Sequence, residues 1–440
     1  MRKGRSAPRT RWNTTAGSRW AAAAAALVLA PASGASGAVP LDETSGVRRV
    51  CTASPAAMQA RAERLRGEAA VATASVLPNP DLVIEHARTL SGASQQETTI
   101  GFAVSLGLGG RYFVLQDAAG LRRRQAEASS HATLFEAALA FREAFVTAVL
   151  DEARAAVMAE QQSALDALTV TLQALARGGE SAGYAVARQQ TQARLHARLV
   201  ASAKARAAAH RAVLEAWTGE PLALAPVALA DLAGGARLRA TQPPSMLNPR
   251  IAGLEASAQA SLLEARAARR RWVPDVSVSA GYRSLSGVGV GGGAASGHGL
   301  ALGLTVPLTF FDHGQGDAAR AEAERAFSLA SATMLRRESA ALGKAATARL
   351  DALEAAVADL DRAVVEAGSL QSKATALYAA GEAGITELLD AFRAAEEAKL
   401  ARIDLAEEIA RARLARMRAA GTLFDPTLDK DCSVASGGAR

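Results

Sequence analysis

The sequence predicts a mainly α-helical protein with two β-hairpins, built as an internal repeat. Of its 440 residues only 14 are proline and 4% are aromatic, while 50% are hydrophobic. Much of that hydrophobic half is alanine, which favours helix and buries little area. Because an interior proline breaks a helix, long helices can form in the proline-free windows 81–220 and 308–425. This composition suits closely packed long helices better than two aromatic-rich domains.

Two stretches inside these windows are predicted to be almost uninterrupted helix, about 111–177 and about 316–380. Apolar residues of the first stretch recur mostly three or four residues apart, or at multiples of those spacings, which gives one apolar stripe. At 1.5 Å per residue each helix would be a rod of roughly 100 Å. Shorter helices are expected over about 55–76, 184–217, 248–272 and 385–420.

Alternating residues predict the two hairpins. In segments 99–108 and 300–309, large apolar residues alternate with mostly small ones. Each segment follows an upstream strand, weakly patterned over 81–89 and clearly alternating over 275–283, so hairpins are expected over about 81–108 and about 275–309. Strands of about ten residues with one apolar face are typical of outer-membrane barrels. Four strands cannot close a barrel, so several subunits would have to share one.

The two halves of the chain are related by a displacement of 202 residues, since 104–106 falls on 306–308 and Gly179–Glu180 falls on Gly381–Glu382. Two distant landmarks that agree on one displacement indicate a duplication. The predicted divisions are a first repeat over 39–218, a connector over 219–247, a second repeat over 248–421 and a tail over 422–440.

Residues 1–38 have the features of a secretory signal peptide: a basic stretch, the apolar run 20–30, and the small residues 31–38. The leader holds six basic residues and no acidic one, so it supplies most of the formal net charge of +7. The remaining charge of about +1 is too small for a surface that binds phosphates, and nucleic acid is not an expected partner. No later run of about twenty apolar residues supplies a helical membrane span, so a membrane role would require strands.

The sequence contains two cysteines, Cys51 and Cys432, one near each end of the exported chain. Disulfides persist outside the cytosol, so the pair could clip the two termini together, while free thiols are the alternative. Neither motif nor spacing decides between these states.

No catalytic or metal-binding motif is present. The six histidines lack metal-ligand spacing, and a G-x-G-x-x-G spacing at Gly287, Gly289 and Gly292 precedes a strand where a nucleotide-binding fold needs a helix. The segment is interpreted as a flexible loop. The sequence therefore predicts neither an enzyme nor a cofactor or metal site.

Several motifs resemble the outer membrane efflux protein (TolC) family. They are LPNPD at 77–81, the Asn248–Pro249 helix start, VPLTFFDHGQG at 306–316 before a long alanine-rich helix, and the duplicated Gly-Glu turns. Their order and spacing fit best the branch that serves cobalt-zinc-cadmium and copper-silver exporters (CzcC/CusC-like). Departures at His313–Gly314 and at 110–112 concern the branch, and hence the substrate, rather than the fold.

The resemblance implies a TolC-like channel-tunnel in the outer membrane, with its helical part in the periplasm. Three identical chains would share one 12-stranded barrel in the lipid, four strands from each chain, above a long helical barrel. Such a channel docks onto a periplasmic adaptor protein and an inner-membrane pump of the proton-driven RND type. The expected function is a passive exit duct for small molecules, heavy-metal cations above all.

The resemblance also implies a gate at the second helix turn. Glu387 and Asp390 are three residues apart on one helical face. The family places acidic residues at these positions, where three copies would form a ring of carboxylates that selects cations. The alternative is an ordinary solvated helix start, where acids favour the positive end of the helix dipole. The tips that would meet the adaptor contain Gly178, Gly179, Glu180, Gly381, Glu382 and Gly384.

Two other functions remain open. The duct of a type I protein-secretion system uses the same architecture. A soluble periplasmic scaffold or adaptor would be all helical, and the alternating segments would then be connectors.

Overall fold

The computed structural model describes residues 40–89, 95–178, 183–219, 223–224, 248–288, 293–423 and 425–434. The predicted leader and most of the predicted connector lie outside these ranges. The helices are α1 (Glu43–Ala53), α2 (Pro55–Ser75), α3 (Arg111–Arg177), α4 (Gly183–Thr218), α5 (Pro249–Arg269), α6 (Gln315–Ala379), α7 (Ile385–Ala420) and α8 (Pro426–Val434). The strands are β1 (Pro40–Leu41), β2 (Asp81–Arg88), β3 (Gln95–Leu106), β4 (Ala223–Leu224), β5 (Val276–Val288) and β6 (Ala294–Thr305).

Helix α3 is the centre of the helical part, packing against α2, α4, α5 and α7, while α6 packs against α5 and α7. The largest buried side chains lie halfway along α3, where the rings of Phe141 and Phe145 stack with centroids 6.2 Å apart. Helix α4 runs antiparallel to α3 and forms a helical hairpin with it, and α7 does the same with α6. The two helical hairpins lie side by side because α3 contacts α7.

Equivalent helices of the two repeats begin in the same way. Ser54 precedes Pro55 at the start of α2, and its hydroxyl accepts a hydrogen bond from the Ala57 amide at 3.2 Å. Asn248 precedes Pro249 at the start of α5, and its Oδ1 accepts from the Arg250 amide at 3.0 Å. A polar cap satisfies a free helix N–H, and proline in the first turn has none to satisfy.

Small residues explain how the long helices approach each other so closely. The buried side of α6 consists almost entirely of Ala, Ser and Gly, at spacings of three, four and seven residues. The Oγ atoms of Ser257 on α5 and Ser328 on α6 are 3.2 Å apart. The abundant alanine of the sequence therefore serves helix packing and not a large-residue core.

The four longer strands form one antiparallel sheet in the order β2-β3-β5-β6. Its register places Ile84, Ile100, Tyr282 and Leu300 in one row across the four strands. The two hairpins pair through β3 and β5, which leaves β2 and β6 as the edges. The predicted fold class, long helices with four antiparallel strands per chain, is confirmed.

The strand bounds differ from the expected ones. Strand β3 begins at Gln95 rather than at 99, and β6 covers Ala294–Thr305 rather than 300–309. The hairpin ends lack large apolar residues, so alternation does not reveal them, and Pro307 has no N–H for a sheet ladder. Helices α1 and α8 and the parallel pair β1–β4 were not predicted, because these helices have 11 and 9 residues and each strand only 2.

Cys51 of α1 and Cys432 of α8 are joined by a disulfide with Cα atoms 5.0 Å apart. A buried arginine, Arg142 of α3, secures the same region. Its Nε lies 2.8 Å from Glu43 Oε1, and its Nη1 donates to the Leu423 carbonyl at 3.3 Å. The first and last described helices are therefore fastened to the middle of α3.

Candidate functional site

The turn between α6 and α7 has a defined geometry. Gly381 adopts φ of +75°, and its amide donates to the Tyr378 carbonyl at 3.1 Å. The Glu382 amide reaches back to the Leu377 carbonyl at 2.9 Å. These two bonds form a Schellman motif, which requires a left-handed residue and so favours glycine. The predicted glycine at this tip therefore has a structural reason of its own.

Glu387 and Asp390 both lie exposed in the first two turns of α7. Glu387 Oε2 accepts a hydrogen bond from the Gly384 amide at 3.2 Å, which caps the helix. Asp390 Oδ1 lies 3.3 Å from Nη1 of Arg393, and both side chains are more than half exposed. Within one chain, therefore, Glu387 has a capping role and Asp390 has a weak, solvated partner.

An apolar cluster anchors this tip. Leu388 and Leu389, between the two acids, are buried, so the acids point away from the helical packing. The tip cluster consists of Leu165, Leu168, Leu172, Ala193, Leu388, Leu389 and Phe392, drawn from α3, α4 and α7. It fixes both helical hairpins to each other just behind their turns.

The first-repeat tip differs in charge. Gly178 ends α3, its amide donating to the Ala174 carbonyl at 3.2 Å, whereas the predicted tip residues Gly179 and Glu180 lie outside the described residues. The 202-residue displacement between the repeats makes Ala185 and Arg188 the first-repeat equivalents of Glu387 and Asp390. At these two positions the second repeat is therefore acidic, whereas the first has one neutral and one basic residue.

Two polar links join the helical hairpins and leave no pattern in the sequence. His196 of α4 lies between α3 and α7, with Nδ1 2.8 Å from Gln162 Oε1 and Nε2 2.9 Å from Glu396 Oε1. Nothing in the scattered histidine positions indicates this bridge, because its partners are distant in sequence.

The second link is centred on Arg154 of α3. Burial opposes the charge of this guanidinium, but hydrogen bonds to Glu407, Asp404 and Asp151 outweigh that effect and raise its pKa. Its Nη2 lies 2.7 Å from Asp404 Oδ1 on α7. Asp151 also accepts from His210 of α4 at 2.6 Å, so three helices meet in one charge network.

The sheet has two chemically different faces. The register aligns large apolar residues on one face, and most of them are exposed in the single chain: Leu82, Ile84, Ile100, Phe102, Val104, Val278, Leu300, Leu302 and Leu304. The opposite face carries mainly glycine, alanine and serine, together with Val83, Leu285 and charged residues that include one ion pair, Arg283 Nη2 to Glu97 Oε2 at 2.6 Å. Gly101 and Gly281 face each other there, and an added Cβ on Gly101 would lie 2.5 Å from the Ala280 carbonyl oxygen.

Polar and aromatic residues border the apolar face at its two ends. At the hairpin end, the Tyr282 hydroxyl lies 2.6 Å from His298 Nδ1, and His86 Nδ1 lies 2.9 Å from Thr98 Oγ1. At the helical end, exposed aromatic residues gather where strands meet helices: Phe113, Trp272, Phe310 and Phe311. Such a band with aromatic borders is typical of strands in a bilayer.

In the parts of the chain that the structure describes, no three His, Cys, Asp or Glu side chains are grouped to hold a metal ion. Among the same residues, no helix is both long and apolar enough to cross a membrane. Gly289 and Gly292 of the predicted loop lie outside the described residues.

The family model of the outer membrane efflux proteins matches residues 246–422, which span the second repeat. The expected resemblance to that family is thereby confirmed. No curated protein matches the sequence significantly.

Solved structures share the fold over most of the chain. The structure of CusC aligns with a TM-score of 0.72 at 16% identity, covering 88% of this chain and 93% of that one. The CmeC outer membrane channel of Campylobacter jejuni gives 0.70 at 13% identity, covering 90% and 89%. The outer-membrane channel OprN gives 0.71 at 18% identity, covering 88% and 91%.

The fold, the apolar sheet face and the family match define the class of the protein. It is an outer-membrane efflux channel, a passive conduit and not an enzyme, and it shares the fold of solved outer-membrane channels. Channels of this family are the outer-membrane components of tripartite efflux systems.

Proposed function

We propose that three copies of the chain form the exit duct of a tripartite efflux pump of the RND type, and that its cargo is heavy-metal cations. The observation that carries the proposal is the sheet, which exposes an apolar face and has two unpaired edges, β2 and β6. Unpaired edges and an exposed apolar face are both unfavourable in a monomer. Pairing β6 of one copy with β2 of the next closes twelve strands around a lumen.

In this arrangement the apolar face meets lipid, and the face with glycine, serine and the Arg283–Glu97 pair lines the duct. A wide barrel has a polar, water-filled interior of this kind. The periplasmic scaffold, the function from another class, would leave the apolar face in water without a partner. The sheet therefore favours the membrane channel.

The entrance is proposed to lie at the α6–α7 turns. Three copies of Glu387 and Asp390 would superpose six carboxylates around the axis, since both side chains are exposed and neither packs into the tip cluster. A ring of acids attracts cations and repels itself as it ionises. Opening would be a splaying of the tip helices when the adaptor binds, at turns that include Gly178, Gly381, Glu382 and Gly384.

Metal cargo is supported by the sequence motifs shared with the metal-exporter branch and by this acidic entrance. A duct for secreted proteins has the same architecture, so the two functions are separated by cargo and not by fold. Substrate profiling of a deletion strain distinguishes them, with divalent metals tested beside drugs and secreted proteins.

The experiment that tests the channel itself is membrane fractionation of the untagged protein, followed by its native mass in mild detergent before and after heating. A heat-sensitive trimer in the outer-membrane fraction is expected. A soluble monomer in the periplasm would overturn the proposal. Increased sensitivity of the deletion strain to divalent metals is expected, and unchanged metal sensitivity would rule out metal cargo.

A further inference from the structure

A polar layer lies directly behind the apolar tip cluster. It consists of Gln162 of α3, His196 of α4 and Glu396 of α7. Counted along each helix from its turn, all three residues are about 20 Å from the tips, at 1.5 Å per residue. The side chains of His196 and Glu396 are only 12% and 14% exposed. The layer therefore joins the first helical hairpin to α7 in a place that is largely shielded from water.

Helix periodicity explains why these side chains are shielded. Glu396 lies four residues after Phe392 and seven after Leu389, so it continues the buried stripe of α7. His196 lies three residues after Ala193, on the buried stripe of α4. Two titratable side chains thus occupy positions that are apolar in the tip cluster. Polar groups in such positions need hydrogen-bond partners.

The amide of Gln162 is oriented by Asp166. Its Nε2 lies 2.9 Å from Asp166 Oδ1, and a carboxylate oxygen only accepts hydrogen bonds. The NH₂ group must therefore face Asp166, which leaves the amide oxygen Oε1 towards His196, 2.8 Å from Nδ1. Nδ1 of His196 consequently faces an acceptor and must carry a proton.

The second ring nitrogen of His196 also faces an acceptor. Nε2 lies 2.9 Å from Oε1 of Glu396, which is a carboxylate oxygen. A neutral imidazole has one N–H and one acceptor nitrogen, so it satisfies only one of the two contacts. The imidazolium donates through both nitrogens and satisfies both. The geometry is therefore that of a charged His196 between a neutral acceptor and a carboxylate.

Other charged groups border the layer, and Glu396 is the one in hydrogen-bond contact with the imidazole. They are Glu160 and Asp166 on α3, Arg194 and Arg198 on α4, and Glu397 and Lys399 on α7. Asp166 accepts from Gln162, and Glu160 pairs with Lys399 at 2.9 Å. The two arginines and Glu397 are exposed to solvent. The counter-ion of His196 is therefore Glu396.

We propose that His196 is a positioning residue for the gate. Its charged imidazole holds α7, the helix that begins near Glu387 and Asp390, against the first hairpin while the tip is closed. This inference rests on the proposed duct and deepens it by assigning the contact that keeps the entrance shut. When the ring loses a proton to solvent, one of its two contacts becomes a pair of facing acceptors, so α7 is released more easily.

The direction of the pH response follows from counting protons. The closed tip keeps His196 doubly protonated, whereas a splayed tip leaves the ring in water, where an imidazole ordinarily loses its proton at about pH 6.5. The closed form therefore binds more protons, and it loses stability as the pH rises. Three copies that open together release more protons than one, which steepens the response. Carboxylates ordinarily titrate at about pH 4, below this window.

The test is the open fraction of single channels formed by the full-length trimer in planar bilayers, from about pH 5.5 to about pH 8. The ratio of open to closed time is expected to rise about tenfold over this range, which corresponds to losing one hydrogen bond between charged groups.

Two substitutions fix the charge at position 196. His196→Gln is uncharged at every pH, and it should give a high open fraction without a pH response. His196→Arg is charged throughout and donates through several N–H groups, so it should give a low open fraction across the same range. A merely structural histidine would instead leave the pH response in place.

The carboxylate partner has a matched control. Glu396→Gln should abolish the pH response, whereas Glu397→Gln, which removes the exposed acid next to it, should keep it. His313→Gln removes an exposed histidine before α6, far from the tips, and should also keep the response. Glu396→Gln supplies the test if the His196 variants fail to assemble.

The outcomes separate the role of His196 from the channel itself. A pH response that survives in His196→Gln, an unaltered channel without a response, or flat profiles at one level in both His196 variants would each overturn the role of His196 and leave the channel standing. Absence of a heat-sensitive trimer of the unaltered protein from the outer membrane would overturn both.

Discussion

Glu152 of α3 and Arg211 of α4 form an ion pair that the second repeat reproduces between Glu354 and Arg413. Arg211 Nε donates to Glu152 Oε1 at 3.0 Å, and Arg413 Nη2 donates to Glu354 Oε1 at 3.2 Å. Both pairs span 59 residues and link the long and short helices of a hairpin. The duplication therefore preserved a tertiary contact as well as the order of elements.

The repeated pair allows a comparison between the two hairpins. Arg413 is 16% exposed and Arg211 is 47% exposed, so Arg413 is less screened by solvent. We expect Arg211→Gln to change the free energy of unfolding by less than about 0.5 kcal/mol and Arg413→Gln by about 1 kcal/mol. Thermal melts of the detergent-solubilised protein measure both, and an equal effect would show that burial does not decide the strength of the pair.

Neutralising the proposed gate should alter ion selectivity. Glu387→Gln with Asp390→Asn is expected to lower the cation-to-anion permeability ratio in single-channel recordings by at least about twofold, because the carboxylates would no longer attract cations. Glutamine in place of Glu387 can still accept the Gly384 amide hydrogen bond, so the helix start is preserved.

The control for the gate is Glu397→Gln, which removes one exposed acid from the same helix farther from the turn. Its selectivity should match that of the unaltered channel. Unchanged selectivity in the double variant would place the selective ring elsewhere.

A single arginine distinguishes the two faces of the sheet. Leu302→Arg places a charge on the apolar face and should cost about 2–4 kcal/mol per chain at the bilayer centre, so the amount of folded trimer in the outer membrane should fall. Ala301→Arg, one residue away on the opposite face, should be tolerated. Heat-modifiable mobility on gels measures both, and the reverse ranking would exchange the lipid and lumen faces.

Reducing the Cys51–Cys432 disulfide should destabilise the region where α1 and α8 are joined. The disulfide closes a loop of 381 residues, so its removal is expected to cost about 2–4 kcal/mol in the free energy of unfolding. Melts with and without a reductant test this. Cys51→Ala with Cys432→Ala should match the reduced protein and be unaffected by the reductant; a stability equal to that of the oxidised protein would contradict the prediction.

Acid should weaken the start of α1. Hydrogen bonds from Ser45 and Thr44 hold the pKa of Asp42 below its ordinary value of 3.8. A depressed folded-state pKa stabilises the protein above the unfolded pKa, and that contribution disappears as the pH falls through the lower folded value. Asp42→Ala should cost about 1 kcal/mol at neutral pH through the lost cap.

Asp42→Asn separates the cap from the charge, because asparagine caps helices as well as aspartate does. We expect most of the stability at neutral pH to be retained and the loss below about pH 4 to be smaller than in the unaltered protein. A series of thermal melts from about pH 3 to about pH 7 tests this. If the variant and the unaltered protein lose stability equally in acid, Asp42 does not contribute to the acid sensitivity.

Long-period features could be predicted from the sequence. The start and end of α3 at Arg111 and Arg177 follow directly from glycines that flank a proline-free apolar stripe. The apolar faces of the strands that contain Ile100 and Leu300 could be predicted, because large and small residues alternate along each strand.

Contacts between residues far apart in the sequence, and strand ends without large side chains, could not be predicted. The polar ends of β3 and β6 have no large residue to alternate, and the His196 bridge joins side chains 34 and 200 residues apart. The capping bond of Glu387 needed the geometry of the turn, which composition does not encode.

The disulfide between Cys51 and Cys432 ties together the two ends of the described chain. Both described ends are held halfway along α3, about 50 Å from either extremity of that helix. The tips and the sheet are consequently made of continuous chain that turns back on itself. Force applied at either mouth of the duct is carried by unbroken covalent backbone to a cross-linked waist, so the assembly resists fraying where it opens.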